Sequence, residues 1–186
     1  MEDMQIVDLY FDRSEQAIDE TASKYGKYLF SIAYNILSSN RDSEEAVNDT
    51  YLGAWNSIPP HRPQRLSTYL GKITRRISLE KWKHYRAQKR GGGEVPIALE
   101  ELSECIPGKE TPEQTTELKE LTQTINLFLK TLPETEQKVF VCRYWYLTPV
   151  KIIARQFGFS ESKVKSMLSR TRGKLKTHLA KEGMVV

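Results

Sequence analysis

From residue 14 onward the apolar positions recur every three or four residues, the repeat of helices packed along one side. Ser14 to Leu37 puts Ile18, Ala22, Tyr25, Leu29, Ala33 and Ile36 on one stripe, with Gly26 a weak point inside it. In NRDSEEAVNDTYLGAWNSIPP, Asp42 can cap a helix with Glu45 at its third position, and Val47, Tyr51, Ala54 and Ile58 form its buried stripe. Leu66 to Arg90 continues with Leu66, Leu70, Ile73 and Ile77. Thr116 to Leu132 places Leu118, Leu121, Ile125 and Leu129 at helical spacing. No alternation long enough for a sheet occurs, so the pattern predicts an all-α chain.

The last two helices are joined in a characteristic way. In LTPVKIIARQFGF, Thr148 can cap a helix that starts at Pro149 and buries Ile152, Ile153, Ala154 and Phe157. Gly158 then stands where a left-handed residue ends a helix, and Ser160 can cap the next one with Glu161 in its first turn. On this final helix Val164, Leu168, Thr171 and Leu175 form the core stripe. The opposite face carries Ser162, Ser166, Ser169 and Gly173, edged by Lys163, Arg170 and Lys174 on one side and Lys165, Arg172 and Lys176 on the other. Two helices joined by a short glycine-containing turn, the second one basic, form a helix-turn-helix pattern. Small side chains allow close approach to base edges in the major groove, and the flanking cations reach bases and phosphates. A simply solvated basic face is the competing reading for this helix taken alone.

Charge sharpens this picture. Residues 1–59 hold 4 Lys/Arg against 11 Asp/Glu, residues 60–90 hold 10 against 1, residues 91–137 hold 3 against 10, and residues 138–186 hold 11 against 2. Two basic blocks separated by an acidic one suit a protein that touches nucleic acid at two places. In the first basic block, Tyr69, Trp82 and Tyr85 lie among the cations, as needed for stacking unpaired bases, although Tyr69 and Trp82 could equally pack a core. The acidic helix before it exposes Leu52 beside Glu45, Asp49 and Asn56, a combination suited to a protein partner.

Between the blocks, Gly91 to Gly93, Pro96, Pro107 and Pro112 among many acids mark a linker, within which IALEEL could be a short helix or an interaction strip. The expected organisation is a first helical domain over 1–90, a linker over 91–115 and a second helical domain over 116–186. Cys105 and Cys142 have no metal-ligand spacing and suggest no disulfide framework; Cys142 is expected in a core. His61, His84 and His178 are dispersed, and neither a nucleophile with a base nor a phosphate-binding glycine loop occurs, so no catalytic residue, metal or cofactor is expected. No apolar run approaches a membrane span and the N-terminal residues lack a signal-peptide pattern, which predicts a cytoplasmic protein without membrane insertion.

Taken in order, DSEEAVNDTYLGAW, LSTYLGKITRRISLEKW and LPETEQKVFVCRYW with the following helix-turn-helix resemble bacterial RNA polymerase sigma factors of the extracytoplasmic-function group, over nearly the whole chain. The resemblance implies a sigma factor that binds core RNA polymerase, directs it to promoter DNA and helps open the duplex. Glu45, Asn48, Asp49 and Leu52 would dock on the polymerase clamp helices. Tyr69, Lys72, Arg75, Arg76, Trp82 and Lys83 would hold the opened minus-10 element, and Ser162, Lys163, Lys165, Ser166, Ser169 and Arg170 would read the minus-35 element. It also admits an anti-sigma factor as a further partner, which no residue identifies. The sequence departs from the family pattern at Arg76, where asparagine is common, at Glu80 and Lys81, which stand for aspartate and tyrosine, at Tyr69 for tryptophan, and at Pro149 for an acid. A free-standing helix-turn-helix regulator explains residues 133–179 equally well, but leaves the paired acidic and basic helices of the first domain unexplained.

Overall fold

The computed structural model describes residues 1–88, 94–103, 105 and 115–183, and among them the regular elements are helices throughout. The chain divides into two compact units, Met1–Gly93 and Glu94–Val186.

The first unit contains α1 (Asp3–Phe11), α2 (Gln16–Leu37), α3 (Asn40–Ser57) and α4 (Leu66–Gln88). Its core joins Ile6, Val7 and Tyr10 of α1 to Leu29, Ile32, Ala33 and Ile36 of α2, Ala46, Val47 and Ala54 of α3, and Leu66 and Leu70 of α4. Each fully buried leucine or isoleucine contributes about 1.5–3 kcal/mol. Several polar groups inside are paired: Tyr10 and Thr21 share a hydroxyl hydrogen bond of 2.9 Å, and Thr50 Oγ1 donates to Thr74 Oγ1 at 3.0 Å across α3 and α4. Gly26 does not interrupt α2, and the Tyr51 hydroxyl stands 3.3 Å from where its side chain would begin.

Two expectations for this unit change. The cap of α3 is Ser39, whose Oγ accepts the Asp42 N–H at 3.4 Å, three residues before the expected cap Asp42. Ser38 turns the chain in the left-handed region at φ 53°, so α3 starts almost directly after α2 and Asp42 falls in its first turn, where the helix dipole favours an acid. The short α1 lies outside the pattern read from the sequence, and Glu2 N–H donates to Gln5 Oε1 at its start.

The second unit contains α5 (Glu94–Ser103), α6 (Thr115–Thr131), α7 (Glu134–Tyr144), α8 (Val150–Phe157) and α9 (Glu161–Lys181). Here the IALEEL segment is helical, and α5 seals part of the second core with Val95 and Ala98. Phe128, Val139, Phe140, Ile153, Ala154, Val164, Leu168, Leu175 and Leu179 fill the remainder. Gly91 to Gly93, Pro107, Pro112 and the side chain of Leu118 lie outside what is described.

At the junction of α8 and α9, Gly158 adopts φ 66° and Phe159 N–H donates to Ala154 O at 2.8 Å, closing the end of α8 as expected. Ser160 caps α9 by accepting the Lys163 N–H at 3.2 Å. Thr148 does not cap α8. Its N–H donates to Cys142 O at 2.9 Å and its side chain is buried, so it is consumed in closing α7, while Pro149 occupies the cap position. Ile152, expected in the buried stripe, is 37% exposed, and Phe157 is only half-buried; eight residues of helix leave room for Ile153 and Ala154 at the core. Cys142 is half-buried rather than in the core, and that burial pushes its thiol pKa up.

Candidate nucleic-acid and partner surfaces

On α9 the buried stripe is as expected, with Val164, Leu168, Thr171 and Leu175 inside. This orientation leaves Ser162, Lys163, Lys165, Ser166, Ser169 and Arg170 all exposed on one side. Lys163 Nζ lies 3.7 Å from the centre of the Phe159 ring, a cation–π contact at the helix start. Arg170 Nε donates to Ser166 O at 3.2 Å, which lays its stem along the helix and leaves the centre of the face low. Not every cation on the flanks is available. Arg172 turns inward, with Nη1 donating to the Tyr144 hydroxyl at 2.8 Å, and Lys174 pairs with Glu136 at 2.9 Å. Lys151 and Arg155 of α8 are exposed as well, two cations that the reading of α9 did not include. Their signal was their place on the polar side of the first helix of the motif.

The helix α4 has two different sides. At about 100° per residue, Lys72, Arg76 and Lys83 fall within about 40° of one another, and all three are exposed. Arg75 is drawn partly under the surface, where burial lowers the pKa of its guanidinium. Trp82 is half-buried. Tyr69 is partly buried against the first core and its hydroxyl donates to Ser57 Oγ at 2.8 Å, which favours its packing role over base stacking.

The opposite side of α4 faces α3. Leu70 and Thr74 are buried there, and one turn or more further along Lys81 and Tyr85 reach the acidic helix. On α3, Glu45 and Asn48 are exposed, Asp49 is half-buried, and Leu52 is 59% exposed. These four lie along one side of a single helix at positions spaced three or four apart. Lys81 of α4, where the family pattern has tyrosine, joins two of them: its Nζ is 2.6 Å from Glu45 Oε1 and 3.1 Å from Asp49 Oδ2. Among the described residues no group of three His, Cys, Asp or Glu could hold a metal ion, and no helix is long and apolar enough to cross a membrane.

The Sigma-70 region 2 family matches residues 21–90, which include α3 and α4, and the Sigma-70, region 4 family matches residues 122–175, which include the helix-turn-helix. The chain is 25% identical over 165 residues to the ECF RNA polymerase sigma factor SigE of Mycolicibacterium smegmatis, covering 88% of this chain and 62% of that protein. It is 21% identical over 166 residues to the probable RNA polymerase sigma factor RfaY of Xanthomonas campestris pv. campestris, covering 89% of this chain and 41% of that one. The chain thus spans less than two thirds of the length of these relatives. Among solved structures, CnrH in complex with the cytosolic domain of CnrY aligns with a TM-score of 0.44 and 17% identity, over 96% of this chain and 97% of that chain. With both sigma-70 regions matched in order over the larger part of its length, the chain belongs to the sigma-70 family.

Proposed function

We propose that this chain binds core RNA polymerase, directs it to specific promoters and helps open the DNA to start transcription. The observation that carries this reading is the exposed face of α9, low and serine-lined at its centre with cations beside it, opposite a fully buried stripe. That helix reads the minus-35 element as duplex, with Lys165 and Arg170 reaching bases or phosphates and Ser162, Ser166 and Ser169 permitting close approach. Lys163 adds a phosphate contact at the helix start.

In the first unit, Lys72, Arg76 and Lys83 follow the phosphates of the opened minus-10 element and Trp82 supplies a stacking ring. Tyr69 and Arg75 shape the surface from beneath. Stacking contributes about 1–3 kcal/mol per base, which offsets the few kcal/mol needed to unstack a base pair step. Glu45, Asn48, Asp49 and Leu52 dock on the clamp helices of polymerase. The protein acts in the cytoplasm as an initiation factor without catalytic residues or cofactor of its own, and an anti-sigma factor is the class of partner that would hold it inactive.

The test is transcription of a fragmented bacterial genome by sigma-free core polymerase with and without the protein, with the RNA 5′ ends mapped. Discrete new starts that share two upstream elements are expected. No new starts, together with specific duplex binding by the protein alone, would instead identify a free-standing regulator.

A further inference from the structure

Lys81 of α4 forms ion pairs with two acids of α3, Glu45 and Asp49, at 2.6 and 3.1 Å. Its own side chain is only 19% exposed, whereas those of Glu45 and Asp49 are 56% and 44% exposed. The lysine is therefore the more buried partner in both pairs. It takes one oxygen from each, Glu45 Oε1 and Asp49 Oδ2, and the second oxygen of each carries no ion pair among the described residues. Glu45 and Asp49 are four residues apart on one helix, where like charges repel. Without a cation between them they would splay apart. Tyr85, one turn beyond Lys81, extends the same seam through a 3.4 Å contact from its hydroxyl to Asp42 Oδ1.

With both carboxylates reached by water the pairs are screened and contribute little to stability, so this arrangement is poorly explained as a clamp on the fold. It is better explained by what it presents. Two carboxylates held side by side, each with one oxygen that carries no ion pair among the described residues, form a preorganised acceptor for a cationic side chain, and Leu52 lies one to two turns along the same face. Fixing two rotamer-rich side chains before association removes an entropic penalty that binding would otherwise incur.

We propose that Lys81 is a positioning residue of the polymerase-docking surface: it holds Glu45 and Asp49 together so that they receive a cationic group of the partner. This rests on the docking reading of α3 given above. It assigns to a residue of the DNA-opening helix a role on the other surface of the unit, so that α4 serves polymerase with one side and DNA with the other.

The experiment measures the affinity of full-length protein for core polymerase by titration of a labelled sigma factor. Lys81→Met should weaken binding about tenfold, the scale set by freeing two side chains. Lys81→Arg, which can still bridge both acids, should stay within about twofold. In a Glu45→Gln, Asp49→Asn background, Lys81→Met should have no further effect, because the groups it positions are no longer charged. Thermal melts of every variant identify any loss of fold, and the arginine variant keeps the test decisive if the methionine variant melts early. Unchanged or tighter binding by Lys81→Met, with weaker binding by Glu45→Gln and Asp49→Asn, would overturn the positioning role alone. Unchanged binding by Glu45→Gln, Asp49→Asn and Leu52→Glu together would remove the docking surface itself, and the proposal with it.

Discussion

Arg143 donates to Glu101 through two nitrogens side by side, Nε to Oε2 at 3.2 Å and Nη2 to Oε1 at 3.1 Å. The arginine side chain is 1% exposed and the glutamate 25%. A guanidinium so deeply placed needs its counter-charge, and α5 delivers it from a segment whose sequence reads as linker. Tyr144 also donates to Glu101 Oε2, at 2.9 Å, and Arg172 stands 3.8 Å from the same oxygen. Glu101→Ala should therefore destabilise the second unit by about 3 kcal/mol, the low end for removing one partner of a buried pair because Glu101 keeps some contact with water. Hydrogen exchange of the α7 and α9 amides measures this. Unchanged protection would mean that α5 is not held by this network.

The turn between α8 and α9 depends on one backbone conformation. Gly158 has φ 66°, and a side chain there would meet no atom within 4 Å, so the constraint is conformational rather than steric. Gly158→Ala should cost about 1–2 kcal/mol, the penalty of a left-handed L-residue. Gly158→Asn should lose less, since asparagine tolerates that region. Equal losses in urea unfolding for the two variants would show that something other than backbone conformation governs the position.

What the sequence made legible was whatever is set by helical period and local capping. The stripe of α9, its opposite face, Gly158 and Ser160 follow from spacing within some twenty residues, and so does the exposure of Leu52. What it hid depends on partners far along the chain. Lys81 meets Glu45 from 36 positions away, and Arg143 meets Glu101 from 42. Periodicity places Arg172 at the flank of the basic face, but the Tyr144 hydroxyl draws it inward. Thr148 has the chemistry of a cap, yet the end of α7 uses it first. A residue able to satisfy two local roles is assigned only when its distant neighbours are known.

Acid should weaken the first unit through Asp3. Desolvation alone would raise its pKa, but hydrogen bonds from Lys24 and Tyr25 to its Oδ1 prevail and hold the carboxyl below the ordinary 3.8. A depressed folded pKa stabilises the fold above the unfolded value, and the gain is lost as pH falls through the folded one. In a Trp145→Phe background, tryptophan fluorescence follows Trp55 and Trp82 of the first unit. Its urea midpoint should fall as pH drops below about 4, and Asp3→Asn should make that fall shallower. An identical slope in the variant would exclude Asp3 as a contributor.

The reading face of α9 makes two predictions that differ in kind. Arg170 is exposed and contributes nothing to the core, so Arg170→Ala should leave stability within about 0.5 kcal/mol. Transcription from a promoter with an intact minus-35 element should fall about tenfold or more, the scale of losing one base or phosphate contact. A promoter whose minus-35 element has been scrambled should respond less, because the contact is already lost there. Ser166 acts by being small. Ser166→Leu keeps every cation, but places a branched side chain at the centre of the face, where it would hold the helix away from base edges. It should abolish the minus-35 dependence while leaving polymerase affinity unchanged. If Ser166→Leu transcribes normally and Arg170→Ala does not, the cations work from a distance without groove insertion. If neither variant has an effect, this face of α9 does not read the promoter.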